Sequence, residues 1–489
     1  MDRREFVKNF AVAAGALALS GKALFAGETR PNVLLIIVDQ WREPRWFPEK
    51  VKLPGYERLC KEGLNFTNHF VSAVPCSPSR ACLLTGRHLN QHGVESNVHK
   101  GLNQPSLDPD IPTLGHLFKK AGYRTPYFGK WHLTELGELE GRRLEPYGFE
   151  DWQGIDHIGA PFEGLEYDRS FASRAIHWLR RNGKRTPWFL TCSFVNPHDI
   201  CYYQRLDVPA IFIPDVFSKL PANHNDDLKN KPRIQGICRD AYGKLMGTRP
   251  DAPERVWLHY LDFYYWLQQH VDRQINHLLT ALDQLGLAEN TIVVFTSDHG
   301  DMCGSHKLQA KGPFVYQENN NVPLVLRWPG KIQAGKKAKA LSQNPDLFPT
   351  MLDLAGISAP VSHLPGKSLL PVISSPEQTE LHDHILMGFG MNGAGRFAHL
   401  GERFGLDLKG VPIQIRSIFD GRYKYARYFD EGCQEEYELY DLNNDPLELR
   451  NLAPDPAYSD LKKEMADKLA VAESKEMAKP APDWPKVKL

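Results

Sequence analysis

Residues 32–40 read Asn-Val-Leu-Leu-Ile-Ile-Val-Asp-Gln, an unbroken apolar run rich in Val and Ile that stops on Asp39 and Gln40. A short continuous run of this kind is the pattern of a strand buried on both faces. Such a strand needs a covering layer on each side, which restricts the chain to a layered architecture. The pattern recurs in PWFLTCSFVNPH, which ends at Asn196 and His198, and in NTIVVFTSDHG, which ends at Asp298 and His299. A weaker version, AGYRTPYFGKWH, ends at Lys130 and His132, and VPLVLRW adds one more run. Helical periodicity lies between the runs, near residues 114–121 and over residues 256–285. In the second stretch Tyr264, Leu267, Val271, Ile275, Leu278, Leu282 and Leu285 recur at three and four, with Gly286 placed to cap the helix. Strands alternating with helices predict an α/β fold: a large, mostly parallel sheet sandwiched by helices. Ligands in such sheets bind at the carboxyl ends of strands. Strand ends rich in Asp, Lys and His therefore predict one site assembled from distant segments.

Past about Pro371 the pattern changes. SIFDGRYKYARYF and EYELYDL alternate apolar and polar residues, the period of half-exposed antiparallel strands. A smaller C-terminal α+β domain carrying an antiparallel sheet is expected over residues 371–489, with a charged helix over 461–477 and a loose Pro/Lys-rich tail. Residues 1–26 read as an export signal: Arg3-Arg4, then the apolar run AVAAGALALS and small residues up to Ala26. The paired arginines point to the twin-arginine export machinery. They predict an exported protein, periplasmic or secreted, whose larger catalytic domain spans residues 27–370. With 59 basic and 59 acidic side chains the chain carries no clustered basic excess, which argues against nucleic acid as a partner.

The eight cysteines are scattered and form no Cys-x-x-Cys pair, which disfavours a zinc cluster. Cys192 and Cys201 are a candidate disulfide in an oxidising compartment. Taken singly, Asp39 and Asp298 read as a turn residue and a helix cap. Taken together with Gln40 and His299, they offer oxygen ligands and an imidazole suited to a divalent cation. Arg80, Lys130, His132, His198 and Lys311 supply forked donors, point charges and proton carriers that suit a tetrahedral oxyanion. Cys76 precedes Ser77-Pro78-Ser79-Arg80 at a predicted helix start, where a thiol is acidified and anions are attracted. A cysteine phosphatase uses the same physics, but it needs a longer, glycine-rich loop between Cys and Arg and leaves the two aspartates without a purpose.

CSPSRACLLTGR resembles the signature of the formylglycine-dependent sulfatases, and GYRTPYFGKWHL resembles their second signature. NPHDI, TSDHGDMCGSHKLQAKGPFVYQENNNVPLVLRWPG and ELYDLNNDPLELRNLA are similar to the family's later landmarks, in order, from about Pro31 to about Ala453. The resemblance implies an alkaline phosphatase-like fold and hydrolysis of a sulfate ester, with a sulfated carbohydrate as the expected substrate. It implies that a maturation enzyme oxidises Cys76 to Cα-formylglycine, whose hydrate attacks sulfur. Asp39, Gln40, Asp298 and His299 match the family's metal positions. Arg80, Lys130, His132, His198 and Lys311 match the residues around the sulfate, with Lys307 a nearby competitor for the role of Lys311. In this scheme His198 or Lys311 protonates the leaving alcohol and His132 is the base that helps expel sulfate. Many relatives have Asp where this chain has Gln40, and Asn where it has His299. Calcium is the expected metal, with manganese or zinc the alternatives that an imidazole ligand favours. The same Gln and His resemble phosphonate monoester and phosphodiester hydrolases, which makes a phosphoryl substrate the second expectation. A non-catalytic binding protein on this scaffold is the third, and the retained Cys76, Arg80, Lys130, His132 and His198 argue against it.

Overall fold

The computed structural model describes residues 30–478 apart from 44–46, 49, 100–103, 136–143, 155–160, 205–212, 361–363 and 391–406. The proposed export signal lies outside the described residues. In chain order the strands are β1 (Asn32–Asp39), β2 (Leu64–Phe66), β3 (His69–Phe70), β4 (Pro126–Gly129), β5 (Glu150–Gln153), β6 (Phe189–Pro197), β7 (Thr291–Ser297), β8 (Leu324–Arg327), β9 (Lys336–Ala338), β10 (Ser342–Gln343), β11 (Ile385–Phe389), β12 (Gln414–Phe419), β13 (Tyr423–Phe429) and β14 (Glu436–Asp441). Eight of them form one sheet in the order β5-β4-β6-β1-β7-β8-β2-β9. All run parallel except β8, which is antiparallel to both β7 and β2.

The continuous apolar run of β1 follows from its central place. Val33, Leu35 and Ile37 enter the core on one face, while Leu34, Ile36 and Val38 enter the core on the other. All are fully buried, and each contributes about 1.5–3 kcal/mol relative to an exposed side chain. The second face is covered by the helices Glu163–Asn182 and Glu254–Gln284, through residues such as Phe171, Leu179, Leu267, Val271, Ile275 and Leu278. The first is covered by Cys76–Thr85, Leu114–Lys120 and Leu347–Leu354, through Leu83, Leu84, Leu117, Phe118, Phe348 and Met351.

Register decides what meets at the carboxyl edge. On one side of β1, Asp39 pairs with Pro197, one residue before His198; on the other, Val38 pairs with Ser297, one residue before Asp298. Because β8 runs backwards, it starts at the edge where β7 ends. Residues 298–323 therefore stay at that edge, and Lys311 comes with them. The sheet is mostly parallel, as expected, with β8 the exception; an apolar run carries no sign of its direction.

A second sheet, β11-β12-β13-β14, is wholly antiparallel. One face packs Ile418, Tyr425 and Leu439 on Met465 and Leu469 of the helix Ser459–Glu476, together with Cys82 and Leu89. The other packs Ile415, Tyr428 and Tyr440 on Phe314 and Tyr316, and on Ile234 and Cys238 of a further helix, Arg233–Leu245, that the sequence does not announce. This sheet thus buttresses both the helix that carries Cys76 and the segment that carries Lys311. All eight cysteines are free thiols, so the bridge between Cys192 and Cys201 is not made. No helix among the described residues is long and apolar enough to cross a membrane.

Candidate active site

Cys76 is the first residue of the helix Cys76–Thr85 and is fully buried. Its Sγ lies 3.1 Å from His299 Nε2 and 3.7 Å from Asp39 Oδ1. Arg80 sits one turn further along the same helix, where the i,i+4 spacing puts it on the same face. Its guanidinium spans the strand ends: Nε donates to Asp298 Oδ2 at 2.8 Å and one terminal nitrogen to Asp39 Oδ2 at 3.1 Å. The other terminal nitrogen donates to the carbonyl of Lys130 at 3.0 Å and to Ser193 Oγ at 2.8 Å. Lys130 Nζ closes on Asp39 Oδ2 at 2.7 Å.

The backbone holds Lys130 in place. Gly129 has φ 108°, and a Cβ there would lie 1.8 Å from the carbonyl oxygen of Ser193. That contact explains the glycine in Gly-Lys-Trp-His. Gly129→Ala is expected to cost more than about 2 kcal/mol in stability, since left-handed strain alone is worth about 1–3 kcal/mol. It should also displace Lys130 and depress turnover; a thermal midpoint equal to that of the wild type would contradict the assignment.

His299 presents Nε2 to the cluster because Nδ1 lies 2.9 Å from the carbonyl of Gly300, which anchors the ring. Nε2 is 3.7 Å from both Asp39 Oδ1 and Asp298 Oδ1. Burial alone would lower the His299 pKa, but Asp298 and Cys76 raise it above the ordinary value. Burial would raise the Asp39 carboxyl, yet Lys130, Arg80 and Lys311 hold it well below the carboxylate range. Burial and Asp39 both push the Cys76 thiol up, and Lys311, Lys130 and His299 bring it below its ordinary value. His132 and His198 are pushed well down, first by burial and then chiefly by neighbouring cations. Both therefore stand as neutral imidazoles, and His132 takes a left-handed backbone with φ 60°.

Gln40 occupies a different position from its neighbour Asp39. Its Oε1 accepts from Lys311 Nζ, and its Nε2 donates to Asp301 Oδ2 at 2.5 Å. Its backbone N–H donates to Asp298 Oδ1 at 3.1 Å. The ten site residues named from the sequence thus meet at one edge; the Gln40 amide bonds Lys311 and Asp301, and Asp39, Cys76, Asp298 and His299 converge beside it. Those four place one ligand atom each within 4.8 Å of one another. Two carboxylates and an anchored imidazole fit a divalent cation.

The structure adds residues that sequence reasoning missed. Ser193 receives the Arg80 fork, and Ser79 Oγ donates to the carbonyl of Asp298. Ser77 Oγ donates to the carbonyl of His132 at 2.5 Å. Cys201 lies beside Gln40 and Lys311, and Asp301 holds the Gln40 amide. A signal existed for Ser193, a polar residue inside an apolar run. Asp301 was hidden because a third acidic residue after Asp298-His299 reads as a turn.

The site thus sets the buried cations Arg80, Lys130 and Lys311 among the carboxylates Asp39, Asp298 and Asp301. Cationic donors held this way beside the residue 76 side chain suit a tetrahedral oxyanion.

Comparison with known proteins agrees with this geometry. Residues 31–357 match the family described as Sulfatase, and residues 409–475 match the N-sulphoglucosamine sulphohydrolase C-terminal family. A delta 4,5-hexuronate-2-O-sulfatase of Bacteroides thetaiotaomicron is 31% identical over 466 residues, covering 91% of this chain and 88% of the relative. The solved structure of a 2-O GAG sulfatase superposes with a TM-score of 0.74 at 26% identity, covering 92% of this chain and 93% of that one. A phosphonate monoester hydrolase of Agrobacterium radiobacter superposes with a TM-score of 0.71 at 26% identity, covering 91% and 96%. The fold is that of the alkaline phosphatase superfamily, and the chain belongs to the sulfatase family, the hydrolases of sulfuric esters.

Proposed function

We propose that this protein hydrolyses a sulfate ester on a sulfated saccharide of the glycosaminoglycan type, with residue 76 as nucleophile after conversion of Cys76 to formylglycine. The observation that carries the reading is the fork of Arg80, which ties Asp39, Asp298, Lys130 and Ser193 around one point next to Cys76. The saccharide class rests on relatives: the 2-O-sulfatase above and an N-acetylglucosamine-6-O-sulfatase of the same Bacteroides species, 25% identical over 513 residues.

As a hydrated aldehyde, residue 76 would supply one hydroxyl to attack sulfur and a second to expel the sulfate afterwards. Asp39, Gln40, Asp298 and His299 would hold the divalent ion, calcium by expectation with manganese or zinc as alternatives, and the ion would supply Lewis acidity. Arg80 and Lys130 orient the sulfate and screen the charge gathering on its oxygens. His198, neutral and buried, and Lys311 are the candidates to protonate the departing alcohol. His132, also neutral, is the candidate base for the release step. The Gln40 amide oxygen also accepts from Lys311, which ties that lysine to the same edge. Partners are a sulfated glycan, a formylglycine-generating enzyme and, if residues 1–26 act as read, the twin-arginine machinery that would place the protein in the periplasm or outside the cell.

A phosphonate monoester or phosphodiester substrate is the second reading. It is favoured by Gln40 and His299 and by the phosphonate monoester hydrolase fold match. Turnover of matched aryl sulfate and aryl phosphonate esters by the matured enzyme separates the two, with kcat/KM expected to favour sulfate at least tenfold, about 1.4 kcal/mol. A preference for the phosphonate would replace the first reading by the second.

A further inference from the structure

We propose that Asp301 is a positioning residue that fixes which way the Gln40 amide faces, and so keeps an oxygen rather than an N–H group against Lys311. Asp301 is fully buried at the carboxyl edge of the sheet, just past Asp298 and His299. Its two carboxylate oxygens are both used as acceptors. Oδ2 takes the Gln40 Nε2–H at 2.5 Å, and Oδ1 takes the backbone N–H of Cys303 at 2.6 Å.

A carboxamide has two orientations, one the reverse of the other, and only its surroundings choose between them. An ammonium is a donor only, so Lys311 requires the oxygen. A carboxylate is an acceptor only, so Asp301 requires the amide NH2. Each neighbour thus enforces the same orientation. The remaining neighbour cannot choose, because the Cys201 thiol lies 3.4 Å from Gln40 Nε2 and 3.5 Å from Oε1 and can either donate or accept. Elsewhere Gln40 is tied through its backbone. Its N–H bonds to Asp298, its carbonyl accepts from Tyr264 Oη at 2.6 Å, and its φ is 68°. The main chain is therefore set, and the side-chain orientation is the freedom that Asp301 removes.

The pairing also explains why a neutral residue stands at position 40. A carboxylate there would face the Asp301 carboxylate at hydrogen-bond distance with no proton between them, which is unfavourable in a buried site. Glutamine keeps the acceptor for Lys311 and supplies a donor to Asp301.

The test is a reciprocal exchange, and it rests on the hydrolase reading only for its assay. In Asp301→Asn, the Cys303 N–H cannot turn, so the new side-chain oxygen stays with it and the new NH2 faces Gln40. The Gln40 amide must then reverse and present NH2 to Lys311. We expect kcat/KM to fall about 10–100-fold, the usual range for a residue supporting a catalytic group. The fall should lie mainly in kcat, with the thermal midpoint little changed. Gln40→Glu alone should lose activity similarly through the facing carboxylates. Gln40→Glu combined with Asp301→Asn restores the donor and acceptor order, because the carboxylate at position 40 then accepts from both the new amide at position 301 and Lys311. The double variant should regain at least tenfold over the Asp301→Asn single variant. Full activity of Asp301→Asn, or a double variant no better than the worse single one, would overturn the assignment. So would a midpoint that falls and recovers in step with activity, because that identifies a stabilising contact only. The cycle is run on whichever ester the wild type turns over, so failure of the sulfate reading leaves the coupling measurable.

Discussion

Cys76→Ser is expected to lose at least about 1,000-fold in kcat/KM, about 4 kcal/mol of transition-state stabilisation. The substitution is nearly isosteric and leaves the helix Cys76–Thr85 and its contacts intact, so the thermal midpoint should barely move. The size of the loss goes with a mass measurement that separates the two chemistries open to this position. If the thiol itself were the nucleophile, no modification would be needed. If the aldehyde is the nucleophile, active preparations must contain a residue 76 peptide about 18 Da lighter than the thiol form, the change that oxidation of cysteine to formylglycine demands. Activity should then scale with the fraction of that peptide.

The burial of Cys76 adds a second condition. At 0% exposure, on the inner face of a helix that packs on both sheets, it offers no approach to another enzyme. Modification must therefore precede closure of the site. Co-expression with a maturation enzyme is expected to convert the peptide, whereas the same enzyme added to folded protein should leave the thiol mass unchanged. Full activity in preparations whose residue 76 peptide keeps the thiol mass would refute the formylglycine reading.

What the sequence disclosed, and what it withheld, follows the physics of the two kinds of information. Asp39, His198 and Asp298 were legible because each ends an apolar run, and a parallel sheet sends such endings to one edge. The antiparallel β8 was not legible, although it keeps residues 298–323 beside the site; its four residues are as apolar in one direction as in the other. The helix Arg233–Leu245 was hidden because it buries only a narrow stripe against the C-terminal sheet and carries charge elsewhere. The orientation of Gln40 was beyond reach for a different reason. Spacing places a residue at a strand end, but an amide is turned by hydrogen-bond partners from elsewhere in the chain, here Asp301 and Lys311. The spacing of Arg80 from Cys76 was legible, while the breadth of its fork, four acceptors from four segments, emerges only in three dimensions.

That breadth gives Arg80→Gln the other large expected effect, and it moves two measurements in opposite directions. The guanidinium sits within salt-bridge distance of both carboxylates that are proposed to hold the divalent ion. Removing it takes a fixed positive charge from beside the sulfate, and kcat should fall at least about 100–1,000-fold, as for loss of an oxyanion donor. It also leaves Asp298 without its closest cation in a buried setting, where breaking one partner of an ion pair costs about 3–5 kcal/mol. A cation binding between Asp39 and Asp298 relieves that penalty. Divalent-ion affinity in Arg80→Gln should therefore rise even as turnover collapses. Asp39 should remain ionised at neutral pH, because Lys130 contributes more than Arg80 to keeping its pKa low. Arg80→Lys is the control. It preserves charge but not the planar fork, so it should leave metal affinity close to that of the wild type while still losing most of the rate. Calorimetric titration with calcium and with manganese, beside steady-state kinetics, reads both quantities. If Arg80→Gln binds the ion more weakly than the wild type, Asp39 and Asp298 do not form the cation site, and the two carboxylates serve Arg80 and Lys130 alone.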